Sequence, residues 1–196
     1  MTDLRKISLI VFPWLIAGCF TTSDKVVEQS HSTRPRWVEE KHLSAFKQRT
    51  DFFLVYHAGK QPVLDLAVKQ AQIDAISAMQ SALERYVNGE LAKITAKTSP
   101  AFFAQEELDA IVALESREHT KEYTLIHDIF YEKIEVDPEG SQSDNPYRYN
   151  VYALARIPEE SLQKFYEGLA SKLKSNKNHD LSNLGKILIS QVRPGA

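Results

Sequence analysis

The chain has 196 residues, of which 43% are apolar by type and 26% charged, with a net charge of −2. That is enough apolar material for one domain with a core of its own. The near balance of charge excludes a broad nucleic-acid-binding face, which needs concentrated basic side chains.

The N-terminus has three zones. Met1 to Lys6 carries Arg5 and Lys6, Ile7 to Ile16 is almost wholly apolar, and Ala17-Gly18 places small residues before Cys19. This order is the signature of an export signal. The apolar run is shorter than the roughly 20 residues of a spanning helix, and Pro13 interrupts it, so a permanent span is not expected. Leu15-Ile16-Ala17-Gly18-Cys19 resembles the lipobox of bacterial lipoproteins. The resemblance implies cleavage before Cys19, a diacylglycerol on its sulfur and an acylated new amino group. Two or three acyl chains make membrane attachment durable where one does not. As the only cysteine, Cys19 has no partner for an internal disulfide.

Residues 1–18 therefore read as a cleaved signal, 19–34 as the lipidated cysteine with a flexible tether, and 35–196 as a single domain. Residues 20–34 are rich in Thr, Ser, Gln and charge, without an apolar period. Phe20 stands after the cysteine where an aspartate favours inner-membrane retention in many enteric bacteria, which points to the outer membrane with the domain facing the periplasm. Trp37, just past the tether, is expected to pack the chain onto the domain.

Thr50 to His57 is a run of aromatic and β-branched residues before Gly59 and Pro62, which predicts a buried strand. From Pro62 to Val87 the period becomes helical, with Leu64, Val68, Ala71, Ala75, Met79, Ala82 and Tyr86 on one stripe and Ala67 and Ala78 beside it. Asn88-Gly89 is a candidate break, although Glu90 to Lys97 is again good helix sequence. Ser99 as N-cap and Pro100 at the first helical position predict a second helix, with Phe103, Leu108, Ile111, Val112 and Leu114 as its apolar residues.

Glu122 to Val136 reads as a long strand, and 137–146 has loop composition. The clearest strand follows. Tyr147, Tyr149, Val151, Ala153, Ala155 and Ile157 alternate with Arg148, Asn150, Tyr152, Leu154 and Arg156, so one face is apolar. Ala153 and Ala155 leave room there for a close helix, and the alanine stripe over 67–82 is the expected occupant. Glu159 to Lys174 is amphipathic through Leu162, Phe165, Tyr166, Leu169 and Leu173, and a short last helix is expected from Asp180 or Ser182 to Ile189. The elements predict an α+β fold: a small antiparallel sheet with a long alanine-rich helix and further helices on one face.

Three segments together resemble a known family: Arg34-Pro35-Arg36-Trp37-Val38 after the lipobox, the helix Leu66-Ala67-Val68-Lys69-Gln70-Ala71-Gln72-Ile73-Asp74-Ala75, and Val151-Tyr152-Ala153-Leu154-Ala155-Arg156-Ile157-Pro158 leading into a helix. Over about residues 35–170 the chain resembles the twenty-kilodalton outer-membrane lipoproteins, whose relatives include lipoproteins associated with the bacterial flagellum. The segment between Asn88 and Lys121 is more elaborate than in the simplest members. The resemblance implies a non-enzymatic envelope role, including assembly or ring formation, and brings no catalytic residues.

The residues themselves carry no catalytic pattern. The six histidines His31, His42, His57, His119, His127 and His179 have no pair spaced for one helix face, so no metal is expected. Gly-x-Ser-x-Gly is absent, and Ser171 with Lys174 sits in a lysine-rich helix end with Lys172 and Lys177. The pairs Glu39-Glu40, Glu106-Glu107 and Glu159-Glu160 are adjacent in sequence and do not face across a cleft; the last two suit helix starts. No catalytic residue and no cofactor is assigned.

Arg148, Tyr152, Leu154 and Arg156 share the second face of their strand. If uncovered, they form a small apolar patch ringed by charge that suits a protein partner. The expected function is that of a lipid-anchored envelope protein binding other envelope proteins or copies of itself. The alternative is capture of a lipid or peptidoglycan-derived ligand between helices and sheet.

Overall fold

The computed structural model describes residues 24–39, 45–48, 50–98, 104–136 and 145–192. The signal segment, Cys19, Ser99, Pro100 and Phe103 lie outside these residues, as does most of the expected 137–146 loop. The elements in chain order are β1 (Lys25–Gln29), α1 (Arg36–Glu39), β2 (Phe46–Gln48), β3 (Asp51–Gln61), α2 (Leu64–Thr98), α3 (Gln105–Tyr123), β4 (Leu125–Glu135), β5 (Tyr147–Ile157), α4 (Glu159–Lys174) and α5 (His179–Val192).

The strands form one sheet in the order β1-β4-β5-β3-β2, antiparallel throughout. The fold is the α+β arrangement expected from the sequence. β5 occupies the centre because it is apolar on its inner face and long enough to pair along both edges. It meets β4 from Arg156 opposite Leu125 to Tyr147 opposite Glu135, and β3 from Ile157 opposite Phe52 to Tyr149 opposite Gln61.

The inner face of β5 is covered by α2, as its alanines predict. Ala67, Ala71, Ala75 and Met79 on the helix are at most 1% exposed, and Val151, Ala153 and Ala155 on the strand are fully buried. Small side chains on both surfaces bring helix and strand axes close, and each buried methyl then gains dispersion contacts from both sides. The buried line continues through Leu83, Val87 and Leu91, so helix α2 passes Asn88-Gly89 without interruption. Packing on that face outweighs the local preference of Asn and Gly for a break.

Three sequence expectations change at element ends. α3 begins at Gln105, with Ala104 outside the helix and no side-chain cap. It also runs to Tyr123, so the strand expected from Glu122 starts at Leu125. The buried residues of its second half are Ser116, His119 and Thr120, which no apolar period reveals, while Leu114 is exposed. α5 starts at His179 and extends to Val192, a turn more than expected, with the Asn178 side chain accepting from the Asp180 amide at 3.0 Å.

α3 packs on α2 and α4, and α4 and α5 form a hairpin. A Cβ on Gly185 would lie 2.3 Å from the Lys174 nitrogen and 2.8 Å from the Ala170 oxygen, so the hairpin closes where only a hydrogen fits. The start of α4 is capped from a distance: its Glu159 amide donates to Asp51 Oδ1 of β3 at 2.9 Å.

The largest correction concerns the tether. Residues 25–29, expected to be flexible, form edge strand β1 against β4. A bulge between Val26 and Glu28 interrupts the ladder, and four of its five side chains are exposed. An edge strand held by backbone hydrogen bonds, with little burial, leaves no period-2 pattern to read. The fold therefore includes described residues ahead of residue 35, β1 among them.

Candidate functional site

The second face of the sheet carries the residues expected to form a partner surface. Val55 lies opposite Leu154, His57 opposite Tyr152, and Tyr152 also opposite Phe130 on β4. Cross-strand neighbours on one face sit close enough to touch. The His57 and Tyr152 rings stack with centroids 4.4 Å apart, and Phe130 lies 6.0 Å from Tyr152.

This face is not free, and the expectation of an open patch is corrected. Residues 30–39 fold back across it after β1. The turn is fixed at Ser30, whose amide donates to the Tyr131 carbonyl and whose hydroxyl accepts from the Tyr131 amide, both at 3.0 Å. His31 then places its ring 5.8 Å from Phe130. Arg34 donates from Nη2 to the Tyr152 hydroxyl at 3.1 Å, with its guanidinium carbon 5.6 Å from the centre of that ring. Its Nε lies 3.4 Å from Glu132 Oε1. Val38 on α1 is buried and Trp37 half-buried.

The result is a second, smaller core. Val38, Val55, Phe130, Ile134 and Leu154 are all buried, with Leu154 6% exposed. Glu132, 5% exposed, is held by Arg34 and by Gln29, whose Nε2 donates to it at 3.5 Å. Burial lowers the His57 pKa, against the pull of Asn150 and Glu132, and burial raises that of Tyr152, with Arg34 opposing.

The other two expected residues have structural partners. Arg156 pairs with Asp51 at 2.8 Å, the same carboxylate that caps α4. Arg148 donates to the carbonyls of Asn145 and Tyr147 at 2.8 and 2.7 Å. The four residues thus bind the chain to itself. Sequence reading missed Arg34, Glu132 and His57 as members of this cluster. The available signal was Glu132, a carboxylate in the middle of an aromatic and aliphatic strand.

No family model, curated protein or solved structure matches the chain.

A second polar group lies between α3 and α4. Glu115 and Lys172 form an ion pair, and Lys172 also reaches Glu118 at 3.3 Å. The hydrogen bond with Glu115 raises the Lys172 pKa. His119 is 7% exposed, with Tyr123 at 4.5 Å and Phe165 edge-on at 5.3 Å between ring centroids. Burial lowers its pKa. Among the described residues neither His119 Nε2 nor the fully buried Ser116 hydroxyl has a hydrogen-bond partner. Ser116 and His119 stand one turn apart on the packed side of α3. Among the described residues no group of three or more His, Cys, Asp or Glu side chains could hold a metal ion. No described helix is long and apolar enough to cross a membrane.

Proposed function

We propose that this chain is a bacterial cell-envelope lipoprotein, anchored through lipid on Cys19, whose domain serves a structural or assembly role by binding envelope proteins, copies of itself included. The observation that carries the reading is Leu15-Ile16-Ala17-Gly18-Cys19 closing a short apolar segment with a basic start, immediately ahead of a folded domain. Phe20 favours the outer membrane, with the domain in the periplasm. The resemblance to the twenty-kilodalton outer-membrane lipoproteins supports an assembly role and directs the search for partners towards the flagellar envelope components.

The packing of α2 on β5 bears on the alternative of a bound lipid or peptidoglycan fragment. Alanine against alanine brings the two layers together and works against a cavity of ligand size between them. The protein-binding reading is therefore preferred. The test of the anchor is Cys19→Ser: the domain folds, but fatty-acid labelling and membrane retention are lost. Unchanged labelling and retention would refute it.

A further inference from the structure

We infer that one end of the domain, carrying Val26, Val27, Val63 and Leu66, lies flat on the bilayer in which the lipid of Cys19 is seated. The inference rests on the lipid-anchor reading and adds an orientation to it. Its first support is the length of chain between anchor and fold. Asp24 is only five residues after Cys19, and an extended chain spans at most about 3.6 Å per residue, so the anchor lies within about 18 Å of Asp24. The domain has no long leash.

The second support is where Asp24 sits. Its carboxylate pairs with Lys60 Nζ at 2.9 Å, which ties the exit of the chain to the β3–α2 turn. That turn is itself fixed: Lys60 takes φ 52°, an unusual value for a side-chain-bearing residue, and its amide donates to Asn150 Oδ1 at 3.1 Å. The register brings the same end of the molecule together from every strand near it. Lys25 opposes Glu135, Glu135 opposes Tyr147, and Tyr149 opposes Gln61, so β1 starts, β4 ends, β5 starts and β3 ends on one rim, where α2 also begins.

The third support is what that rim exposes. Val26 is 43%, Val27 42%, Val63 48% and Leu66 65% exposed, four of the seven large apolar side chains left open among the described residues. Of the remaining three, Ile73 lies two turns beyond Leu66 on the same side of α2, Leu114 is on α3, and Leu125 opposes Arg156 at the far end of the sheet. Single exposed aliphatic groups are ordinary, whereas a group gathered around the exit towards an acyl chain has a ready occupant. Lys25 and Lys60 are 77% and 60% exposed, and long stems of this kind lie along an interface with the ammonium among headgroups. Glu135 and Asp24 pair with these two lysines at 3.9 and 2.9 Å.

The test uses the mature lipidated protein in vesicles of phosphatidylethanolamine and phosphatidylglycerol, with the lipid on Cys19 first verified by mass. A nitroxide is placed by Val27→Cys, by Leu66→Cys, or at the exposed control Ser81→Cys, and its accessibility to oxygen and to a water-soluble nickel complex is read. Labels at 27 and 66 should be several-fold less accessible to nickel than the label at 81, and should become fully accessible in soluble Cys19→Ser protein. Equal nickel accessibility at all three sites in verified lipidated protein overturns the orientation and leaves the anchor standing. Protection that persists in the soluble protein also overturns it, by placing another copy of the chain on this end. Absence of lipid on Cys19 overturns the anchor itself.

Discussion

Gly185→Ala adds one methyl group at the crossing of α4 and α5. The new Cβ would lie 2.3 Å from the Lys174 nitrogen and 2.8 Å from both the Lys174 Cα and the Ala170 oxygen. Comfortable heavy-atom contact is about 3.5–4.0 Å, so α5 must withdraw by roughly 1 Å. The obstructing atoms are backbone on a packed helix and cannot rotate away. A gap of that size loses about a quarter to a half of each contact across the seam. The seam is formed by Leu169, Ala170, Leu173, Leu181, Leu184 and Leu188, each at most 4% exposed. Overpacking of this kind costs about 1–3 kcal/mol, and a rigid obstruction belongs at the upper end. Alanine returns up to about 1 kcal/mol of helix propensity, which leaves a net destabilisation of about 2 kcal/mol. Gly89→Ala provides the control: it sits in a helix with nothing within 4 Å of the new Cβ and should stabilise by about 0.5–1 kcal/mol. Urea unfolding followed by circular dichroism reads both. With a slope of about 2 kcal/mol per molar, the midpoint should fall by about 1 M for Gly185→Ala and rise for Gly89→Ala. A midpoint for Gly185→Ala that matches or exceeds the parent would refute the close crossing.

Arg34→Ala leaves Glu132 buried without its cation. Loss of one partner of a buried pair costs about 3–5 kcal/mol, but the Arg34 side chain is 39% exposed and water screens part of this, so about 1–2 kcal/mol is expected in the same urea assay. Leu154→Ala should destabilise by about 2–4 kcal/mol, because Leu154 is a core residue of the second face; a stable variant with altered partner binding would restore the open-patch reading. The lowered pKa of His119 means that the unfolded chain takes up its proton first as pH falls. Stability is then full above the ordinary histidine value of about 6.5 and declines below it, until the folded pKa is passed. His119→Phe should flatten part of that decline; His57, lowered for the same reason, retains the rest, and an unchanged pH profile would contradict the burial of His119. Self-assembly predicts a defined mass above the monomer for the soluble domain in light scattering over a concentration series. A strict monomer throughout would turn attention to a different envelope protein.

Much of the fold could be read from periodicity because its main layers are sorted by side chain. β5 separates its faces residue by residue, and α2 matches the inner one with alanine, so the pairing of these two elements follows from size alone. Other features depend on partners distant in sequence. β1 is held by backbone ladder bonds to β4, and nothing in Lys-Val-Val-Glu-Gln distinguishes it from a tether. The buried half of α3 carries Ser116, His119 and Thr120, polar residues whose burial is imposed by neighbouring helices. The face of Tyr152 and Leu154 was read correctly as separate from the main core, but its coverage by residues 30–39 depends on Ser30 and Arg34 meeting β4 and β5 more than a hundred positions away. Those contacts bury Leu154 and leave Arg148, Tyr152 and Arg156 half-buried, each tied to a partner within the chain.

The most direct test of the central claim is the intact mass of the protein extracted with detergent from the membranes of a bacterium that makes it, with the N-terminal fragment sequenced. The account predicts a chain that begins at Cys19 and carries a thioether-linked diacylglycerol, with an amide-linked acyl group on its new N-terminus. A chain that keeps residues 1–18, or one cut elsewhere with an unmodified Cys19 thiol, would contradict it.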